Sequence, residues 1–255
     1  METVTSSNGC RIAYERSGTG PPLVVVGGAF SSRASGLAVA AGLTADFTVY
    51  CYDRRGRGDS DDQAEYTPEL EVEDLAAVID AAGGDGFVFG QSSGGALTLE
   101  TAAAGSPIRA LVVNEPPYTG TPGSSLRQAD ELAGLIAAGQ PDRAAELFLR
   151  ASGVPEGVIE QTRASPGWSA MVAIAHTLPY DVRLCNDGVV PVDRLARISC
   201  PVLATAGGAS PAWAPAVAET IAGAVVDGEW RVLEGLGHNV PPDVLAPLLR
   251  ERFLH

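Results

Sequence analysis

Short runs of branched apolar residues alternate with amphipathic runs along this chain, and that alternation restricts its fold more than any other feature. Residues 23–26 (Leu-Val-Val-Val) are of the kind buried on both faces of a parallel sheet. Residues 11–17, 48–53, 86–89 and 110–114 read as further strands. Residues 70–82 place Val72, Leu75, Ala76, Val78 and Ile79 on one helical face, and 93–104 reads as a second helix. Beyond Tyr118 the rhythm changes. Residues 126–138 and 141–152 carry helical patterns, the latter with Pro141 in its first turn, and no central strand is legible before 198. Strand and helix signals return at 201–206, 211–222, 229–233 and 244–253. The alternation predicts an α/β fold with a mostly parallel sheet and helices on both faces. The break predicts a helical cap, residues 118–198, inserted into a core of residues 1–117 and 199–255.

One turn carries chemistry. Gly90-Gln91-Ser92-Ser93-Gly94 joins the strand Phe87-Val88-Phe89 to the helix that carries Ala96-Leu97-Thr98-Leu99-Glu100. A tight strand-to-helix turn lifts a serine above the sheet edge, and glycines flank it where side chains would meet neighbouring backbone. A serine hydroxyl needs a base to act as a nucleophile. The chain offers His176, His238 and His255. His238 follows the last strand, at the carboxyl end of the sheet where open α/β sheets meet their ligands. An acid must then orient the imidazole. The loop Gly207-Gly208-Ala209-Ser210-Pro211 contains no carboxylate, whereas the strand end Asn114-Glu115-Pro116 presents Glu115. Glu115 is therefore the best-placed acid, ahead of Asp181 and Asp243. The amides of Ser93 and of Ala29, in the turn Gly27-Gly28-Ala29-Phe30, are the expected donors to an oxyanion. Gly28 and Phe30, with Trp168, His176 and Tyr180 from the cap, are expected to shape a mainly apolar substrate pocket.

Composition narrows the partners. The net charge is −14, and all 17 cationic side chains are arginine. Without lysine there is neither a Schiff-base amine nor a Walker-type phosphate-binding lysine. The acidic excess argues against nucleic acid and against anionic membrane surfaces. Cys10, Cys51, Cys185 and Cys200 form no C-x-x-C pair, so neither metal nor cofactor is expected. The polar start, Met1 to Ser7, does not read as a signal peptide, and the apolar runs are too short to span a bilayer. The expectation is a cytoplasmic enzyme, monomer or homodimer, acting on a small molecule. The charged turn Tyr52-Asp-Arg-Arg-Gly-Arg-Gly-Asp-Ser60 reads as a structural loop whose arginines are offset by Asp53, Asp59, Asp61 and Asp62.

Together these residues resemble the α/β-hydrolase superfamily: Val26-Gly27-Gly28, the loop at 52–60, Phe89-Gly-Gln-Ser-Ser-Gly-Gly95 and Gly237-His238. Glu115-Pro-Pro117, Gly207-Gly-Ala-Ser-Pro-Ala-Trp213 and Leu233-Glu-Gly…His238 are similar to a group of bacterial hydrolases that place the acid after the sixth strand. The resemblance implies the α/β-hydrolase fold, an eight-stranded sheet, and hydrolysis of an ester, lactone or related carbonyl of a small apolar molecule through a Ser-His-Glu triad and an acyl-enzyme. Two positions depart from the superfamily's usual pattern, which has His-Gly at Gly27-Gly28 and an Asp at Ser210. A non-hydrolytic lyase or cyclase on the same scaffold, and a ligand-binding protein without turnover, are the alternatives that this fold leaves open.

Overall fold

The computed structural model describes residues 1–63, 65–119 and 123–255; residues 120–122 of the expected cap lie outside them. Eight strands form one sheet: β1 (Glu2–Thr5), β2 (Arg11–Ser17), β3 (Pro22–Val26), β4 (Thr48–Tyr52), β5 (Gly86–Gln91), β6 (Ile108–Asn114), β7 (Val202–Gly207) and β8 (Gly228–Leu233). Their order is β1-β2-β4-β3-β5-β6-β7-β8. Pairings β1–β2 and β2–β4 are antiparallel, and all others are parallel. Every residue of β7 is buried, as are the last four of β3 and of β4, the signature of parallel strands covered on both faces. Strand β1 is the one the sequence reading lacked. Its four residues are mostly exposed at the sheet edge, so apolar periodicity has little to mark there.

Helices cover both faces. On one side α1 (Arg33–Ala40) and α11 (Pro242–Leu254) bury Ala40, Leu245, Leu249 and Phe253 against Leu23, Phe87 and Phe89. On the other, α2 (Pro68–Ala81), α3 (Ser93–Ala103) and α10 (Trp213–Ala224) bury Leu75, Leu97 and Ile221 against Val24, Val88 and Val113. Between β6 and β7 lie α4 (Ser124–Ala137), α5 (Pro141–Ala151), α6 (Glu156–Arg163), α7 (Trp168–Ala173), α8 (Leu178–Leu184) and α9 (Val192–Leu195). This segment has its own apolar cluster, built on Ala129, Leu132, Ala144, Leu178 and Val182, and Ala29 and Phe30 of the core pack against it.

The chain crosses from β3 to β4 on one side of β3 and places β5 on the other. Ligands in open α/β sheets bind at such a switch of direction, outside the carboxyl ends of the strands. Ser92 follows β5 there, flanked by the turn after β3 and by the end of β6.

Candidate active site

Ser92 has φ 56° and ψ −128° and stands at the head of α3. Left-handed backbone is costly for a residue with a Cβ, so the surroundings must hold it. The Ser92 amide donates to Asn114 O at 2.8 Å, tying the turn to β6. A Cβ on Gly90 would stand 2.7 Å from Gly95 Cα, and one on Gly94 would run into the Val26 and Gly27 carbonyls. Side chains are excluded at both positions, as the sequence reading of the turn requires. Gly28 lies against the serine itself, where a Cβ would be 2.8 Å from Ser92 Cβ.

His238 and Glu115 meet. His238 Nδ1 is 2.6 Å from Glu115 Oε2. Burial pushes the Glu115 carboxyl up, but hydrogen bonds from His238 and from the Gly207 amide outweigh it and hold the group below the usual carboxylate value. The Ser210 hydroxyl also favours the anion, yet Ser210 Oγ is buried with no partner in hydrogen-bonding geometry, so it acts as a nearby dipole. An ionised carboxylate only accepts, so this contact calls for a ring proton on Nδ1. Glu115 is 1% exposed, while the His238 side chain is 45% exposed. The carboxylate is thus a fixed, dry anchor for a ring that faces the solvent-accessible side.

Two positioning residues escaped the sequence reading. Gln91 Nε2 and Asn114 Nδ2 donate to the His238 carbonyl at 2.9 and 3.0 Å, and Thr205 Oγ1 donates to Asn114 Oδ1 at 2.8 Å. Both flank residues that were singled out, Ser92 and Glu115. The missing signal was the contact itself, which spans 147 positions for Gln91.

Ser92 borders two cavities. One, about 440 Å³, is lined by Gly28, Ala29, Phe30, Val39, Leu149, Val154 and Val240 together with His238. The other, about 550 Å³, is lined by Ser93, Thr119, Ser125, Arg127 and Gln128. Phe148 of α5 borders both and packs edge-on against Phe30 at 5.5 Å. The second cavity also carries Pro117, Leu147, Ala151 and Val182, so both are mainly apolar, as expected, and the second adds Arg127 and Gln128 to its wall. Neither the Ala29 nor the Ser93 amide donates a backbone hydrogen bond among the described residues.

Three expected pocket residues stand elsewhere. Tyr180 stacks on Tyr66 with ring centroids 4.0 Å apart, and its hydroxyl lies 3.3 Å from Asp62. His176 Nε2 is 3.7 Å from the same carboxylate. Trp168 packs against the apolar cluster of the inserted helices. None of the three lines either cavity beside Ser92. Asp243 is exposed in the first turn of α11, and Asp181 is engaged by Arg54 and Arg57. The arginines of the charged loop find partners outside it: Arg54 pairs with Glu71 and Asp181, Arg55 with Asp74, and Arg57 with Asp181. The loop's own acids bind other arginines, Asp53 and Asp59 bonding Arg33 and Asp61 bonding Arg11.

Residues 23–248 match the family model described as the alpha/beta hydrolase family. An α/β hydrolase from Sphaerobacter thermophilus, known from its crystal structure, is 47% identical, with a TM-score of 0.92 over 99% of this chain and 100% of that one. An esterase from Rhodococcus (23% identity, TM-score 0.74, 98% and 97% covered) shares the fold. So does the enol-lactonase from Burkholderia xenovorans (17% identity, TM-score 0.74, 100% of both chains covered). No curated protein matches the sequence. With a family model spanning most of its length and a structural relative of nearly half its sequence, the chain belongs to the α/β hydrolase family.

Proposed function

We propose that this chain is a serine hydrolase acting on an ester, lactone or related carbonyl of a small molecule, with Ser92 as nucleophile, His238 as base and Glu115 as orienting acid. The observation that carries this reading is the 2.6 Å contact between His238 Nδ1 and a buried carboxylate, on a ring that shares a cavity wall with Ser92. His238 Nε2 takes the Ser92 proton as Oγ attacks the carbonyl, and the Ala29 and Ser93 amides receive the oxyanion. His238 then protonates the leaving group and activates water to release the acyl group. No cofactor enters these steps. Because His238 borders the cavity lined by Val39 and Val240, the leaving group departs into it, and the acyl part rests towards the cavity lined by Ser125 and Gln128. The helices of residues 118–198 act as the cap over both. The buried or half-buried free thiols at Cys10, Cys51, Cys185 and Cys200 suit a reducing cytoplasm.

A fluorophosphonate probe is expected to label Ser92, and Ser92→Ala to abolish labelling and lower kcat by on the order of 10⁶-fold. Esterase turnover that survives Ser92→Ala would overturn the reading.

A further inference from the structure

We propose that Arg57, held by Asp181 of the inserted helices and assisted by Ser31, is a positioning residue that aims the Ala29 amide at the oxyanion. The inference rests on the serine-hydrolase reading above and concerns how that site is kept in register.

The turn carrying Ala29 has little to hold it from within. Strand β3 ends at Val26 and α1 begins at Arg33. The intervening Gly27 and Gly28 carry no side chain, and Phe30 has φ 59°. A peptide between such residues can rotate about its flanking bonds, which would turn its N–H away from the serine. Here the Gly28 carbonyl is fixed from several directions. Arg57 Nη1 donates to it at 2.6 Å, the Ser31 hydroxyl donates to it, and the Ser31 amide lies at 3.3 Å. In a trans peptide the carbonyl and the following N–H point in opposite directions, and there is no cis bond among the described residues. Anchoring Gly28 O on Arg57 therefore turns the Ala29 N–H the other way, with no competing backbone acceptor.

Arg57 is itself immobilised. It is 1% exposed, its Nη2 bonds Asp181 Oδ2 at 2.7 Å, and its Nε bonds Thr177 Oγ1 at 3.2 Å. Asp181 reaches further. Its other oxygen accepts from Arg54 Nη1 at 2.7 Å and from the Ser93 hydroxyl at 2.6 Å. Arg54 Nη1 also lies 3.3 Å from Gly27 O. One carboxylate on α8 thus ties together the two backbone segments that supply the Ala29 and Ser93 amides. The electrostatic half of the site is completed only when the inserted helices are docked. Preorganised donors contribute because they need no rearrangement as charge develops, so loosening the carboxylate lowers turnover without weakening ground-state binding.

The test compares wild type, Ser31→Ala, Asp181→Asn and Ser92→Ala in hydrolysis of a p-nitrophenyl ester and in inhibition by a phenylboronic acid, whose serine adduct places an oxygen at the oxyanion position. Asp181→Asn is expected to lower kcat by about 10–100-fold with KM nearly constant, and to weaken the boronate by the same factor. Ser31→Ala is expected to move both quantities in the same direction by severalfold. Ser31 lies outside the ion-pair network, so its result decides if Asp181→Asn does not fold. Variants with wild-type kcat, or with losses confined to KM and boronate affinity intact, would overturn the inference while Ser92-dependent turnover stands. A wild-type protein without Ser92-dependent turnover would overturn the hydrolase reading, and this inference with it.

Discussion

Glu115 combines a strained backbone with a dry carboxylate. Its φ is 45°, and its amide is pinned to Thr205 O at 3.0 Å, so the left-handed conformation is imposed by β7. That conformation turns the side chain off the end of β6 towards the His238 loop. In the proposed mechanism Glu115→Gln keeps the shape but removes the charge that stabilises the imidazolium. A fall in kcat of about 10³–10⁴-fold is expected in steady-state assays. Ser210 occupies the loop where the superfamily usually carries its acid, and its hydroxyl is buried beside Glu115. Glu115→Ala combined with Ser210→Asp should therefore recover part of the activity that Glu115→Ala alone loses. No recovery in a folded double variant would mean that the Ser210 loop cannot present an acid to His238. The nearness of Glu115 to His238 was legible in the sequence by elimination, because the loop at 207–211 has no carboxylate. Gln91 and Asn114 were not, since an amide that binds a distant carbonyl leaves no local pattern.

The turn joining β5 to α3 is an element whose requirements are written in adjacent residues. Gly94 meets the carbonyls of Val26 and Gly27, which belong to the end of β3 and the turn after it. Gly94→Ala must push that backbone away, costing about 1–3 kcal/mol by overpacking and displacing the Ala29 turn. Urea unfolding should show the first effect and kcat the second. The loop after β4 behaves differently. Its arginines were legible as a structural feature, but their partners were misassigned to the loop's own acids. Arg55, 1% exposed, pairs with Asp74 on α2 at 2.6 Å, away from Ser92 and His238. Asp74→Ala strands a buried guanidinium and is expected to cost about 3–5 kcal/mol in denaturant unfolding, with kcat of the folded enzyme unchanged.

Stability and site geometry share buried acids across the whole molecule. Burial raises the Asp181 carboxyl, but Arg57 and Arg54 outweigh it and hold the group below its ordinary value, as the surroundings of Glu115 do there. A carboxylate lowered in the folded state stabilises fully above its unfolded pKa, and that stability is lost as pH falls through the folded value. The protein should therefore lose thermal stability below about pH 4, and Asp181→Asn should flatten that acid limb of a Tm–pH profile. The alternation of strands and helices, the inserted helical stretch and the Ser92 turn were all readable from the chain, because periodicity, glycine placement and turn chemistry reside in consecutive residues. The edge strand β1 was too short and too exposed to register. The two-cavity character of the pocket, the displacement of His176 and Tyr180 towards Asp62, and the ion pairs of Arg54 and Arg57 with Asp181 came only with the folded chain. Arg54 and Asp181 lie 127 positions apart. Which carboxylate neutralises a buried arginine depends on how helices dock on the sheet, and the energy of burying a charge unpaired selects that docking without leaving a mark in any short stretch of sequence.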